Sequence, residues 1–162
     1  MAEGDAQLQD LYRDVLIDYY RDESHRGKLD SPDFHSHGVN PVCGDEVELT
    51  MTRTGQAIGQ IRHTGRGCVI SQASTAMMAQ ALEGQTLAHA QDLIEAFRAM
   101  LLQNAPASRL PEELSETAAL EGVRKFPVRV KCAMLPWNTL KLGLASGGNG
   151  TNKTAEYQET ER

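Results

Sequence analysis

The sequence has few cysteines, no excess of positive charge and no long apolar run, and each shortage excludes a class of protein. Three cysteines in 162 residues are an odd number, which leaves no complete set of disulfides. The formal net charge of -6 argues against a broad nucleic-acid-binding surface, which is usually basic. No apolar run approaches the roughly 18 residues that a membrane span needs. The acidic N-terminus lacks the apolar stretch of a signal peptide, so we expect a cytoplasmic protein with reduced cysteines.

Apolar residues at helical spacing predict five helices along the chain. They are expected over residues 8–24, 71–82, 86–103, 112–121 and 132–144. Thr86 is a candidate N-cap for the third helix, because a threonine side chain can accept a hydrogen bond from a free amide of the first turn. Gly84 and Gly122 are expected to end the second and fourth helices. Pro136 is tolerable in the last helix if it belongs to the first turn.

Strand signals are confined to the segment before the second helix. Val47, Leu49 and Met51 alternate with polar residues, which is typical of a half-buried strand. A turn at Thr54-Gly55 and a second strand over 58–64 complete a hairpin, and a shorter third strand is expected within 34–39. The predicted fold class is therefore α+β, a small antiparallel sheet of about three strands with helices packed on one face. We predict a single domain over 1–145 and a disordered tail over 146–162.

Each cysteine lies in a motif of its own, at the end of a predicted element. The motifs are Asn40-Pro41-Val42-Cys43-Gly44-Asp45, Gly65-Arg66-Gly67-Cys68 and Arg129-Val130-Lys131-Cys132-Ala133. Cys68 and Cys132 are both expected at helix N-termini, where free amides and the positive end of the helix dipole favour a thiolate. Loops at the ends of rigid elements commonly carry chemistry, so the three motifs are candidates for one common site.

Three thiolates and the carboxylate of Asp45 form a plausible tetrahedral set of zinc ligands. Such a site would carry net negative charge, which Arg129 and Lys131 can offset as supporting residues. Three alternatives give these residues no chemical role. The zinc site is purely structural, Asp45 is a turn carboxylate, or the side chains of Arg129 and Lys131 are simply solvated. The sequence has no CxxC pair and no HExxH helix, which argues against a zinc ribbon and a metalloprotease.

The three cysteine motifs together resemble the signatures of the U-type iron–sulfur cluster assembly proteins, and the SufU branch most closely, over residues 8–144. The resemblance implies the SufU/IscU fold and a role in the SUF pathway. It also implies zinc held by Cys43, Asp45, Cys68 and Cys132, and persulfide sulfur accepted from the cysteine desulfurase SufS. The same resemblance assigns the reacting thiolate to Cys43 and implies SUF scaffold proteins as downstream partners.

Two features favour the SufU branch over the scaffold branch, IscU. Scaffold members carry a histidine immediately before the third cysteine, and this sequence has Lys131 there. Residues 104–126 resemble the extra segment that SufU-type members have between the second and third cysteines. We therefore expect a zinc-dependent sulfurtransferase. The alternatives are a scaffold that assembles a [2Fe-2S] cluster on the same ligands and a zinc-stabilised interaction module without sulfur chemistry.

Overall fold

The computed structural model of the protein describes residues 2–146 and 155–159. Its elements are α1 (Ala2–Arg21), β1 (Phe34–Asn40), β2 (Asp45–Thr54), β3 (Ala57–Arg66), α2 (Val69–Leu82), α3 (Leu87–Leu102), α4 (Pro127–Ser146) and β4 (Ala155–Gln158). Two 3-10 segments, Ala107–Arg109 and Glu112–Lys125, lie between α3 and α4. None of the helices in the described residues is long and apolar enough to cross a membrane.

The sheet has the strand order β3-β2-β1-β4. Strands β1 and β2 are antiparallel, with Asn40 opposite Asp45, and β2 and β3 form the predicted antiparallel hairpin. Gly55 in its turn has a φ of +61°, a conformation that glycine adopts without steric cost. The predicted hairpin and the shorter third strand are both confirmed, and so is the α+β fold class.

The fourth strand corrects the prediction for the C-terminal tail. Ala155–Gln158 pairs with β1 in the parallel direction, so the sheet is mixed and has four strands. The tail predicted as disordered is ordered at these four residues because its side chains find partners on the domain. Glu156 contacts His37 at 2.7 Å, and Asn138 donates a hydrogen bond to the Tyr157 hydroxyl at 3.0 Å. The rest of the predicted tail, 147–154 and 160–162, lies outside the described residues.

Helix α4 begins five residues earlier than the sequence predicted, at Pro127 instead of near Cys132. A proline at the first helical position is favourable because its missing N–H has no partner there anyway. Cys132 therefore lies in the second turn and is buried, so the argument from the helix dipole does not apply to it. Pro136 lies inside the helix and not in its first turn.

The segment predicted as a short α-helix over 112–121 is a 3-10 helix that continues to Lys125. Buried residues recur in it at every third position, at Leu114, Thr117, Leu120 and Val123. This spacing matches the three residues per turn of a 3-10 helix, so one face stays buried along the whole segment. Gly122 therefore does not end the helix as predicted.

Helices α2, α3 and α4 form the core on one side of the sheet. Phe97 of α3 stacks on Trp137 of α4 with ring centroids 4.1 Å apart, and the Trp137 indole donates a hydrogen bond to Ser74 of α2 at 2.8 Å. The predicted cap is confirmed, because the Thr86 side chain accepts a hydrogen bond from the His89 amide at 3.1 Å. Close packing of these helices fixes the ends that carry the cysteines.

Candidate metal centre

Cys43 lies in an exposed turn that joins β1 to β2. Asn40 organises this turn: its Oδ1 accepts a hydrogen bond from the Val42 amide at 3.3 Å, and its carbonyl accepts one from the Gly44 amide at 2.9 Å. Gly44 closes the turn with a φ of +74°. The asparagine of the first motif therefore has a local role that the sequence analysis missed, although an Asn-Pro pair is a known turn signal.

Asp45 is the first residue of β2 and is only 2% exposed. Its Oδ1 accepts a hydrogen bond from the Cys68 amide at 3.1 Å, which joins the first motif to the second. Its Oδ2 is buried and accepts no hydrogen bond from an N–H or O–H group within the described part of the chain, and the Cys132 thiol lies in hydrogen-bonding contact with the carboxylate. A buried carboxylate oxygen without such a donor is costly, so this atom is suited to a metal ion.

Gly67 makes room for the Asp45 carboxylate. A Cβ at this position would lie 2.5 Å from Asp45 Oδ1 and 2.4 Å from Ser71 Oγ. Its φ of +156° also disfavours other residues. Gly67 therefore leaves space for a side chain of the candidate site itself.

Tertiary packing brings the third motif to the first. The sulfurs of Cys43 and Cys132 are 3.4 Å apart, although 89 residues separate them in sequence. Ligand atoms of Cys43, Asp45 and Cys132 lie within 4.8 Å of one another and can together hold a metal ion. Cys68 is outside this group of three, but its sulfur is hydrogen-bonded to Cys132 and contacts Ser71 Oγ at 3.9 Å.

A hydrogen bond links the Cys68 and Cys132 thiols and shifts their pKa values in opposite directions. A hydrogen bond from Cys132, against the opposing effect of burial, lowers the pKa of Cys68 to about 6. The same hydrogen bond, together with burial, raises the pKa of Cys132 well above its ordinary value. Cys68 also occupies the N-cap position of α2, where the positive end of the helix dipole favours a thiolate. The first negative charge on this pair is therefore carried by Cys68.

The donor set fits zinc. Three sulfurs and one carboxylate oxygen are ligands that zinc accepts, and the sulfur–sulfur contact and the contact of Cys132 with the Asp45 carboxylate show that at least three of the donors converge. The same thiolates also suit iron–sulfur clusters, so ligand type does not distinguish the two.

The two cations proposed as site support lie on opposite sides of α4. Arg129 is exposed and lines a groove of about 420 Å³ with Tyr12 and Phe126. Lys131 is half-buried and lines a separate cavity of about 310 Å³ with Glu159. Because α4 begins before both residues, they point to different surfaces, and their role as site support stays a prediction.

Comparisons with known proteins agree with this arrangement of motifs. Residues 11–133 match the model of the NifU-like N-terminal domain. The chain is 37% identical over 146 residues to the zinc-dependent sulfurtransferase SufU of Bacillus subtilis, covering 89% of this chain and 97% of that protein. It is also 37% identical over 150 residues to the iron–sulfur cluster assembly scaffold protein IscU of Streptococcus pyogenes, covering 92% of each.

A solved structure shows the same fold. It is a putative iron–sulfur cluster assembly scaffold protein for the SUF system from Fervidobacterium islandicum, with a TM-score of 0.74 and 33% identity over 80% of this chain and 93% of that one. The family model, the relatives and the fold agree with one another. The chain therefore belongs to the NifU-like N-terminal domain family and is an iron–sulfur cluster assembly protein of the SufU/IscU type.

Proposed function

We propose that this protein is a zinc-dependent sulfurtransferase that accepts persulfide sulfur from a SufS-type cysteine desulfurase. The proposed zinc ligands are Cys43, Asp45, Cys68 and Cys132. The observation that carries the proposal is the unequal exposure of two touching sulfurs: Cys43 is exposed and Cys132 is 2% exposed, with 3.4 Å between their sulfurs. The Cys43 thiol is therefore the most accessible of the three to a partner's persulfide, while Cys68 is half-buried and Cys132 is buried.

In the proposed reaction, the Cys43 thiolate attacks the outer sulfur of the partner's cysteine persulfide. A new S–S bond forms on Cys43, the partner's S–S bond breaks, and its electron pair leaves on the partner's cysteine thiolate, so no oxidant or reductant is needed. Bound zinc would supply deprotonated thiols at neutral pH, because it binds thiolate and expels the proton. Gly44 leaves the approach to Cys43 open, since no atom lies within 4 Å of where its Cβ would be.

Exposed apolar side chains beside the motifs support a docking role for this surface. Val42 is 50% exposed next to Cys43, Val69 is 39% exposed next to Cys68, and Phe126 is 59% exposed near the start of α4. Large apolar residues clustered at the surface commonly belong to protein interfaces. We propose that the desulfurase binds here, with Arg129, which lines the same groove as Phe126, as a charged contact, and that SUF scaffold proteins in the cytoplasm take the sulfur onward.

A scaffold that assembles a [2Fe-2S] cluster is the second candidate. Its support is the 37% identity to the Streptococcus pyogenes scaffold protein, the same value as for the sulfurtransferase. Lys131 replaces the histidine typical of the scaffold branch, and for that reason we prefer sulfur transfer.

The deciding experiment measures turnover of the cognate cysteine desulfurase with zinc-loaded and zinc-stripped protein. We expect strong acceleration with the zinc-loaded form alone, and a mass gain of one sulfur atom on the peptide that contains Cys43. Cys43→Ser should abolish both, because a hydroxyl cannot attack the persulfide as a thiolate does. Persulfide loading of Cys43→Ser at the wild-type level would refute the role of Cys43.

Two controls make this result specific. Asp45→Asn removes a proposed ligand but keeps the Cys43 thiol. If this variant lacks zinc and does not accelerate the desulfurase, the loss is due to the metal and not to the acceptor thiol. Zinc-loaded wild-type protein that leaves desulfurase turnover unchanged would contradict sulfur transfer. Iron and sulfide on the anaerobically purified protein would then favour the scaffold.

A further inference from the structure

One buried amide group beside the metal centre has an unused hydrogen-bond donor. Asn40 is 0% exposed at the end of β1. Its Oδ1 accepts from the Val42 amide at 3.3 Å, but its Nδ2 has no partner among the residues that the structure describes. Buried amide donors in folded proteins are nearly always paired, so a fully buried unpaired one indicates a role beyond the turn.

The strand register locates this amide against the metal centre. Asn40 is directly opposite Asp45, and both side chains belong to the buried face of the sheet. Side chains of directly opposite residues in an antiparallel pair start from Cβ atoms roughly 4.5–5.5 Å apart. Within the described part of the chain, the buried Asp45 Oδ2 accepts no hydrogen bond from an N–H or O–H group, and the buried Asn40 Nδ2 donates none. An unused donor and an unused acceptor therefore face one another across two strands.

The packing of β1 on α4 leads to the same place. Gly38 packs against Thr139, and Ser36 packs against Gly143, one helical turn further along. Every second residue of β1 therefore packs against a position of α4 that is one turn closer to the N-terminus of the helix. Continuing this spacing places Asn40 over the part of α4 near Pro136 and Cys132. The amide of Asn40 is therefore enclosed between the element that carries Asp45 and the element that carries Cys132.

We propose that Asn40 is a positioning residue of the metal centre: its Oδ1 fixes the Cys43 turn, and its Nδ2, which is not hydrogen-bonded to Asp45 in this structure, donates to that carboxylate when the carboxylate binds the metal. The inference rests on the proposed metal site. Carboxylates that bind metals are themselves usually hydrogen-bonded, and removing such an outer partner typically weakens metal binding about 10- to 100-fold. A neutral donor inside the protein also offsets part of the negative charge of the ligand set. An exposed cation such as Arg129 does so less effectively, because its charge is screened by the solvent.

The test compares Asn40→Asp with wild-type protein by zinc affinity, measured by competition with a chelator, and by the absorption spectrum of the Co²⁺-substituted protein. The variant keeps the acceptor for the Val42 amide but replaces the donor by a second buried carboxylate, so Asn40→Ser, which removes the amide donor without adding charge, is measured beside it. We expect zinc binding at least about tenfold weaker and altered Co²⁺ bands, since the carboxylate that Asn40 orients would reorient. In an Asp45→Ala background, Asn40→Ser should change the zinc affinity little, because loss of the donor acts through Asp45.

Ser36→Ala is the matched control. Ser36 is 0% exposed on the same face of the same strand, and its Oγ also lacks a partner within the described residues, but it lies away from the ligands. Its zinc affinity should equal that of the wild-type protein. If Asn40→Asp does not fold, Asn40→Ser provides the same comparison.

Two results would overturn the assignment. The first is that the Asn40 variants have wild-type zinc affinity and unchanged Co²⁺ bands. The second is that Asn40→Ser weakens zinc binding by the same factor in the Asp45→Ala background as in the wild-type protein. Neither measurement uses the desulfurase. Zinc that binds the wild-type protein without accelerating the desulfurase would therefore contradict the proposed function alone.

Discussion

At the residue scale, the site depends on a glycine that makes room for an acid. The Asp45 carboxylate occupies the space beside Gly67, accepts a hydrogen bond from the Cys68 amide at 3.1 Å, and stays 2% exposed. Any side chain at position 67 would compete with that carboxylate for the same volume. The sequence shows the glycine but not what fills the space beside it, because the neighbour is 22 residues away in the chain.

Gly67→Ala should therefore weaken zinc binding, and Gly27→Ala is its matched control. Gly27 also has a positive φ, +132°, but nothing lies within 4 Å of where its Cβ would be. Both variants should lose on the order of 1–3 kcal/mol of unfolding free energy from backbone strain. Only Gly67→Ala should also displace Asp45 and bind zinc about tenfold or more weakly. Equal zinc affinity in the two variants would disprove the steric argument.

At the scale of elements, some segments form helices or strands from local sequence patterns, and others do so only when they pair with another strand. The hairpin, the Thr86 cap and three of the helices follow from local patterns that the sequence displays. Strand β4 does not, because its four residues become a strand only against the edge of β1. His37 holds this edge by contacting Glu156 and Glu46, each at 2.7 Å. The hydrogen bonds to Glu156 and then Glu46 raise the pKa of His37.

Glu156→Gln should release β4 from the sheet. A raised pKa means that the protonated histidine stabilises the folded contact below its ordinary pKa, near 6.5, and that this contribution is lost as pH rises through the folded value. Hydrogen exchange of residues 155–159, corrected for intrinsic rates, should be faster in the variant. It should also depend less on pH between about 6 and 8 than in the wild-type protein.

Glu112→Gln is the control for this measurement, since it removes one exposed carboxylate at the start of the 3-10 segment. It should leave exchange at β4 unchanged. Exchange of 155–159 that is the same in Glu156→Gln and wild-type protein would show that the contact between Glu156 and His37 does not hold the strand.

At the scale of the whole molecule, one buried histidine limits stability in acid. His63 on β3 is 3% exposed, and its Nε2 has no hydrogen-bond partner within the described residues. Burial, reinforced by the positive charge of Arg26, lowers the pKa of His63 to about 4. The folded protein therefore keeps this side chain neutral at a pH where the unfolded chain protonates it.

The lowered pKa fixes the sign of the effect. The contribution of neutral, buried His63 to the unfolding free energy is fully present above pH 6.5 and is lost as the pH falls from 6.5 to about 4. The loss is on the order of 3 kcal/mol, from a shift of between two and three pH units. His63→Leu should lose less unfolding free energy than the wild-type protein between pH 7 and pH 4.5, as measured by urea denaturation.

His89→Gln is the comparison variant, because it removes a half-exposed histidine that contacts Glu113 and leaves His63 buried; it should lose more unfolding free energy between pH 7 and pH 4.5 than His63→Leu. If His63→Leu and wild-type protein lose the same unfolding free energy over this range, His63 is not the acid-sensitive group. His63→Gln provides a second variant if leucine prevents folding.

The sequence by itself determined the family, the hairpin, the cap and the identity of the candidate ligands. These follow from motifs and from periodicities that involve residues a few positions apart. Only the tertiary structure decided that the Cys43 and Cys132 sulfurs lie 3.4 Å apart, and that Cys132 lies inside a helix and not at its end. It likewise decided that Asn40 faces Asp45. Such contacts join residues that are distant in the chain, and their distances are set by how the helices pack on the sheet, which no local pattern records.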